Sequence, residues 1–209
     1  MARNQKRGRL DGRIFEMGSI FVPKALPLTE YPEERQTLCV GVFGKNESFF
    51  TLKGIAEVVA ETIGASFTYE PCQVPFLHPY QTARILCNNE EIGYLGKVTY
   101  EIQKQEDMRE SAYVMEMNLE ALEGFYGNVP SFEPLPKIAE ETRDLALVMD
   151  KAVTCSQVEQ AVKEACKYVK SVTLFDVYEG TQIGESKKSM AFSVLFTPKE
   201  EEFGADSVD

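Results

Sequence analysis

Residues 171–197 read SVTLFDVYEGTQIGESKKSMAFSVLFT, two β-strand patterns joined by a turn-rich segment. In the second pattern bulky apolar residues alternate with mostly small ones, and the bulky set is Met190, Phe192, Val194 and Phe196. Because successive side chains of a strand point to opposite faces, this alternation predicts a sheet with one apolar face and one flat face of small residues. Alone, the alternation fits an ordinary hairpin with one hydrated face as well as a docking platform.

The first strand pattern is less regular, because apolar residues fall on both of its faces. Asp176 decides between the faces, since an ionised carboxylate is costly to bury without a partner. We therefore predict that Asp176 and Tyr178 lie on the flat face together with the small residues of the second strand, which are Ser189, Ala191 and Ser193.

The second half of the chain has the order strand, helix, strand, strand, with the first strand over residues 144–150 and the helix over residues 156–170. This order begins the split βαβ arrangement of a ferredoxin-like fold. The second helix and the fourth strand are missing from the pattern. We therefore expect a core face that is half uncovered, a chain that stops near Asp206 as that helix begins, and a flat face that includes Ala146 and Val148.

The first half holds six strand patterns and one clear helix. The strand patterns cover residues 13–22, 37–43, 66–70, 82–87, 92–100 and 112–119, and the helix pattern covers residues 48–64. Residues 124–137 are rich in glycine and proline and have neither a strand nor a helix period, so we place the domain boundary there. The sequence thus predicts an α+β protein with an antiparallel-sheet domain at 1–127, a linker at 128–137 and a ferredoxin-like domain at 138–209.

Both helices carry end signals. In the first half Ser48 is a predicted N-cap, and Gly64 suits the left-handed position after the last turn. At the helix of the second half a capping box fits two pairs, Thr154 with Gln157 and Ser156 with Glu159.

The composition narrows the functional class. Acidic residues outnumber basic ones by 33 to 22, and the net charge is -11. This charge argues against a non-specific nucleic-acid coat, but it allows a local RNA contact made by stacking and base-edge hydrogen bonds. No apolar run approaches the roughly 20 residues that span a bilayer, and no signal-peptide core follows the basic start, so we expect a soluble, cytoplasmic protein.

The five cysteines and the single histidine do not form a recognisable metal or catalytic pattern. His78 lies near Cys72, but no third group is identifiable that would orient a base beside a nucleophile. We interpret His78 as a hydrogen-bonded turn residue and the cysteines as free thiols.

Six segments identify a family. They are RIFEMGSIF, FFTLKGIAEVVAE and PFLHPYQTARI in the first half, and RDLALVMD, LFDVYEG and SKKSMAFSVLF in the second. In their residues and in their order along the chain, these segments resemble the C-terminal part of the bacterial phenylalanyl-tRNA synthetase beta subunit. The resemblance implies an inactive class II synthetase-like domain followed by a ferredoxin-fold anticodon-binding domain.

The resemblance also implies a function. Members of the family join phenylalanine to its tRNA with ATP and Mg²⁺ in an alpha2-beta2 assembly, in which the alpha subunit performs the chemistry. The implied partners are therefore the alpha subunit and tRNA(Phe). One residue departs from the family pattern, since Tyr80 stands where glycine is more usual. The region MNLEALEGFYG argues against catalysis, because it offers no arginine for the ATP phosphates. We expect no catalytic residue, cofactor or metal on this chain alone.

The expected RNA contacts lie on the flat face and around it. Asp176 would accept hydrogen bonds from base edges and Tyr178 would stack a base. Lys187 and Lys188 either meet phosphates or form a solvated turn, and Arg143 either pairs with an acid at the strand start or contacts RNA. The alternative function is a free-standing protein-interaction module that recruits a peptide through the edge of the ferredoxin-like sheet.

Overall fold

The computed structural model describes residues 1–125, 132 and 139–197. The chain divides into two compact units, Met1–Ser131 and Phe132–Asp209. Except for Phe132, the predicted linker at 128–137 lies outside the described residues, and so does the helix expected near Asp206.

Unit 1 is built on a six-stranded antiparallel sheet in the order β1-β2-β6-β5-β4-β3. Its strands are β1 (Gly12–Val22), β2 (Glu33–Phe43), β3 (Phe67–Pro71), β4 (Leu77–Cys87), β5 (Glu90–Val98) and β6 (Ala112–Asn118). Its helices are α1 (Ala2–Lys6), α2 (Phe49–Ile63) and α3 (Tyr100–Gln105), and a 3-10 helix covers Glu120–Phe125. The six strands confirm the predicted antiparallel arrangement, whereas α1, α3 and the 3-10 helix are additions to it.

Helix α2 covers one face of this sheet and closes the main core of the unit. Leu52 and Ala56 of α2 are fully buried against strand residues such as Ile85, Leu95 and Met115. The predicted end signals are confirmed. The Ser48 hydroxyl accepts from the Thr51 N–H at 3.2 Å, and Gly64 ends the helix with a φ of 68°.

The described part of unit 2 forms a three-stranded antiparallel sheet in the order β7-β9-β8 with one helix on one face. Its elements are β7 (Glu141–Asp150), α4 (Cys155–Ala165), β8 (Val169–Tyr178), a 3-10 turn at Thr181–Ile183 and β9 (Lys187–Phe196). Alternate residues of the central strand β9 are buried, as the sequence predicts. They are Met190, Phe192, Val194 and Phe196, and Val158 of α4 packs against them. The α+β class with antiparallel sheets is therefore confirmed.

The limits of α4 differ from the prediction. Thr154 caps the helix through its capping box with Gln157, which decides between the two candidate pairs. The helix ends at Ala165 rather than at residue 170, because Cys166 is extended with a φ of -142° and Val169 pairs with Phe196 in the sheet. The apolar side chain of Val169 fits a helical stripe and a strand equally well, and strand pairing determines its structure.

Candidate nucleic-acid interface

The face of the unit 2 sheet opposite α4, called the open face below, is organised in cross-strand rows. The rows are Val148-Ser189-Tyr178, Ala146-Ala191-Asp176 and Asp144-Ser193-Thr173. The three predicted small residues of β9 form the centre of these rows and are half-buried. Since directly paired residues project to the same side of a sheet, Asp176 and Tyr178 stand next to this small-residue strip.

A β-bulge at Phe175 places Asp176 on the open face. Leu174 pairs with Phe192 and Asp176 pairs with Ala191, so that Phe175 is an extra residue on β8. Without a bulge, Leu174 and Asp176 would project to the same side. Strict alternation along β8 is thus wrong: Leu174 packs against the core while Asp176 projects to the other face.

The ring of Tyr178 lies against a glycine. A Cβ atom added to Gly180 would overlap the phenol hydroxyl and lie 2.6 Å from its Cζ. The Tyr178 side chain is 45% exposed and Val148 at the other end of the same row is 54% exposed. Two exposed apolar surfaces therefore flank the small hydroxyl side chain of Ser189.

The Asp176 carboxylate has no partner among the described side chains. It is exposed, and within the described part of the chain it accepts no hydrogen bond and forms no ion pair. Asp144 and Asp150 lie on the same face as Asp176, so the charge of the open face is mainly negative. Binding there would depend on direct contacts rather than on long-range attraction of phosphates.

The structure separates the two lysines of the hairpin. Lys187 pairs with Asp150 at the end of the open face, whereas Lys188 pairs with Met149, whose side chain packs on the core side. Only Lys187 therefore flanks the open face. Its neighbour is turned to the other side because side chains alternate along β9.

Arg143 also lies away from the open face. It pairs with the buried Val194, and its Nη2 atom is 2.5 Å from Oε1 of Glu141. Of the two alternatives for this residue, the geometry supports the pairing with an acid at the strand start.

In unit 1, His78 is hydrogen-bonded as predicted, but it lies in strand β4, at an irregular stretch of the β4-β5 pairing, and not in a turn. Its Nδ1 accepts a hydrogen bond from the Tyr80 N–H at 3.2 Å. Burial raises the pKa of the Cys72 thiol, with a further contribution from Glu91, and this is the opposite of what a nucleophile requires. None of the five cysteines, all of which are described, forms a disulfide. The described residues contain no group of three or more metal ligands and no helix long and apolar enough to cross a membrane.

Sequence reasoning missed an exposed apolar surface on β1. Phe15, Met17 and Phe21 lie on the same side of the sheet as the core and are 72%, 62% and 62% exposed. The signal was present in the nearly continuous apolar run of RIFEMGSIFV, which is typical of a strand covered on both faces.

Two family models match the chain. Residues 1–119 match the phenylalanyl tRNA synthetase beta chain CLM domain, and residues 136–209 match the ferredoxin-fold anticodon binding domain. The phenylalanine-tRNA ligase beta subunit of Halalkalibacterium halodurans is 36% identical over 197 residues, which cover 88% of this chain and 24% of that protein. The Bacillus subtilis beta subunit is 36% identical over 207 residues, covering 93% and 26%. The chain thus spans about a quarter of the length of the curated relatives it matches.

Proposed function

Since this chain belongs to the phenylalanyl-tRNA synthetase beta chain family, we propose that it forms the non-catalytic beta-subunit portion of a phenylalanine-tRNA ligase. Unit 2 contacts the anticodon region of tRNA(Phe) through the open face, and unit 1 packs against the catalytic alpha subunit during ATP-dependent aminoacylation. The observation that carries the proposal is that an unpartnered carboxylate, Asp176, and an exposed aromatic ring, Tyr178, stand in adjacent rows on one flat face.

The two side chains suit an unstacked base. The phenol of Tyr178 offers a stacking surface, which is worth about 1–3 kcal/mol per base. A carboxylate accepts hydrogen bonds and cannot donate them, so Asp176 favours a base edge that carries donors. Guanine has two adjacent donors on its Watson-Crick edge, N1–H and the N2 amino group, and is the base that Asp176 fits best.

Unit 1 supports an inactive role. Its antiparallel sheet is proposed to be a class II synthetase-like domain without an active site. Glu16 and Glu116 lie on the sheet face opposite α2, and two carboxylates there would repel a triphosphate. ATP and Mg²⁺ are therefore proposed for the holoenzyme and assigned to no residue of this chain.

The exposed apolar surface of β1 is the proposed contact with the alpha subunit. Three large side chains on one side of an edge strand, Phe15, Met17 and Phe21, extend the core face beyond the residues that α2 covers. Contiguous apolar surface of this kind marks protein interaction sites. Phe15→Ser together with Phe21→Ser should weaken co-purification with a co-expressed alpha subunit, whereas Phe50→Ser, at an exposed phenylalanine on α2, should not.

The RNA contact can be tested with a fluorescent anticodon stem-loop of tRNA(Phe). Fluorescence anisotropy would measure its affinity for this chain and for Asp176→Asn, Tyr178→Ala and the control His78→Ala. We expect a loss of about fivefold or more for Tyr178→Ala, since one stacked base is worth about 1–3 kcal/mol. We expect roughly tenfold or more for Asp176→Asn, since a hydrogen bond to a charged group is worth about 1.5–3 kcal/mol, and no loss for the control. Equal affinity in all four proteins would refute the assignment of the open face. A folded chain without RNA affinity would favour the protein-interaction module instead.

A further inference from the structure

A row of polar side chains crosses all six strands of the unit 1 sheet, on the face opposite α2. In strand order the row is Glu16, Cys39, Glu116, Tyr94, Arg84 and Glu70. At one end of the row the charges pair with each other, because Arg84 lies 2.6 Å from Glu70 and 3.5 Å from Glu91.

At the other end neither acid forms an ion pair in the described ranges, and Arg35, which lies on the same face, is paired with Glu33. Glu116 accepts a hydrogen bond from the Tyr94 hydroxyl at 2.8 Å, and no basic side chain pairs with it in the described ranges. Glu16 has neither a hydrogen bond nor an ion pair to a described side chain. Glu16 and Glu116 both lie beside the Cys39 thiol. The pKa of this thiol is raised by burial first, then by Glu116 and then by Glu16.

The hydroxyl of a largely buried residue, Thr37, adjoins these acids. In the neighbouring row Thr37 pairs with Gly18 on one side and with Asn118 on the other. The Thr37 residue is only 6% exposed, and its hydroxyl has no hydrogen-bond partner among the described residues. It lines two adjoining grooves of about 200 and 270 Å³. The space beside Gly18 is open, since a Cβ atom added there would meet nothing within 4 Å.

We propose that these joined grooves bind a primary ammonium group carried on an alkyl chain, with Glu16, Glu116 and Thr37 as its acceptors. An ammonium ion has three donors and no acceptor, which matches two carboxylates and one hydroxyl. Ile20 lines both grooves and provides apolar surface for the methylene groups of the chain. A metal ion is a poorer fit, since no cluster of three ligating side chains exists among the described residues.

The ammonium group has two sources, a free polyamine and a lysine side chain of another polypeptide. Isothermal titration calorimetry of the chain with putrescine and with Nα-acetyl-lysine methylamide separates them. Saturable binding of both probes assigns the site to a lysine side chain or any alkylammonium, and binding of putrescine alone assigns it to a diamine. Tetramethylammonium, which carries the charge without N–H donors, should not bind.

Variants test the three acceptors. We expect Glu16→Gln and Thr37→Val each to weaken putrescine binding by roughly tenfold or more, since a hydrogen bond to a charged group is worth about 1.5 kcal/mol or more and about 1.4 kcal/mol is tenfold. The matched control is Glu34→Gln, which removes the same charge from an exposed position that pairs with Phe21 on the opposite face. Putrescine should also shift the backbone amide signals of Gly18 and Thr37 in ¹H-¹⁵N NMR spectra. An equal loss in Glu34→Gln, or the absence of saturable binding by wild type, would overturn the proposal.

Discussion

Deleting Phe175 should leave the fold and the open face of unit 2 intact. In the native register Leu174 is opposite Phe192 and Asp176 is opposite Ala191, so removal of the bulged residue makes these two pairs consecutive. Phe175 is 58% exposed, which means that less than half of its side chain is hidden. Full burial of a phenylalanine contributes about 1.5–3 kcal/mol, so the deletion should cost about 1 kcal/mol of stability.

Deleting Val177 is the matched comparison, because it removes one residue from the same strand and has the opposite consequence. Tyr178 would then take the position opposite Met190, on the core side of the sheet. The stem-loop affinity should fall by about fivefold or more, as one base-stacking contact of about 1–3 kcal/mol is lost. Protection of the β9 amides in hydrogen exchange would report the stability of unit 2, and anisotropy would report RNA binding. The reasoning is refuted if the Phe175 deletion abolishes protection, or if the Val177 deletion binds RNA like wild type.

Three further changes test single contacts in unit 2. Gly180→Ala should displace the Tyr178 ring and weaken stem-loop binding with little effect on β9 protection, since the φ of Gly180 is -167° and any residue adopts it. Thr154→Ala removes the acceptor of the Gln157 N–H and should lower the stability of unit 2 by about 1 kcal/mol in hydrogen exchange, whereas Ser156→Ala should not. The hydrogen bonds from Lys170 and then from Thr197 lower the pKa of Glu140. This carboxylate therefore stabilises the fold above the ordinary glutamate pKa, and the stabilisation is lost as the pH falls through the lowered value. The urea midpoint of Glu140→Gln should depend less on pH between about 5 and 3 than that of wild type.

The sequence was sufficient for the parts of the fold that depend on local signals. Alternation along β9 predicted which residues are buried, and Ser48 and Gly64 predicted both ends of α2. The limit between α4 and β8 was missed because Val169 satisfies both periods, and only pairing with Phe196 across the sheet decides its structure. Short elements such as α3 were missed because a helix of six residues is too short to show a period.

Which side chains of different strands lie next to each other at the candidate sites depends on strand register, and the sequence of a single strand does not encode it. Lys187 and Lys188 are adjacent in sequence, yet their partners Asp150 and Met149 show that they project to opposite faces. Likewise Glu16, Thr37 and Glu116 come from three strands, and no local pattern links them. Such groupings become visible only when the strand pairs are known.

The bulge explains how β8 combines two roles that strict alternation would separate. Upstream of Phe175, Val172 and Leu174 project toward α4 and complete the core. Downstream, Asp176 and Tyr178 stand at positions of the same parity in the sequence but project to the opposite face. A regular strand with these residues would either bury the Asp176 carboxylate or expose Leu174, and each alternative costs stability. One extra residue removes this conflict, so the strand contributes apolar side chains to the core and two polar groups to the open face.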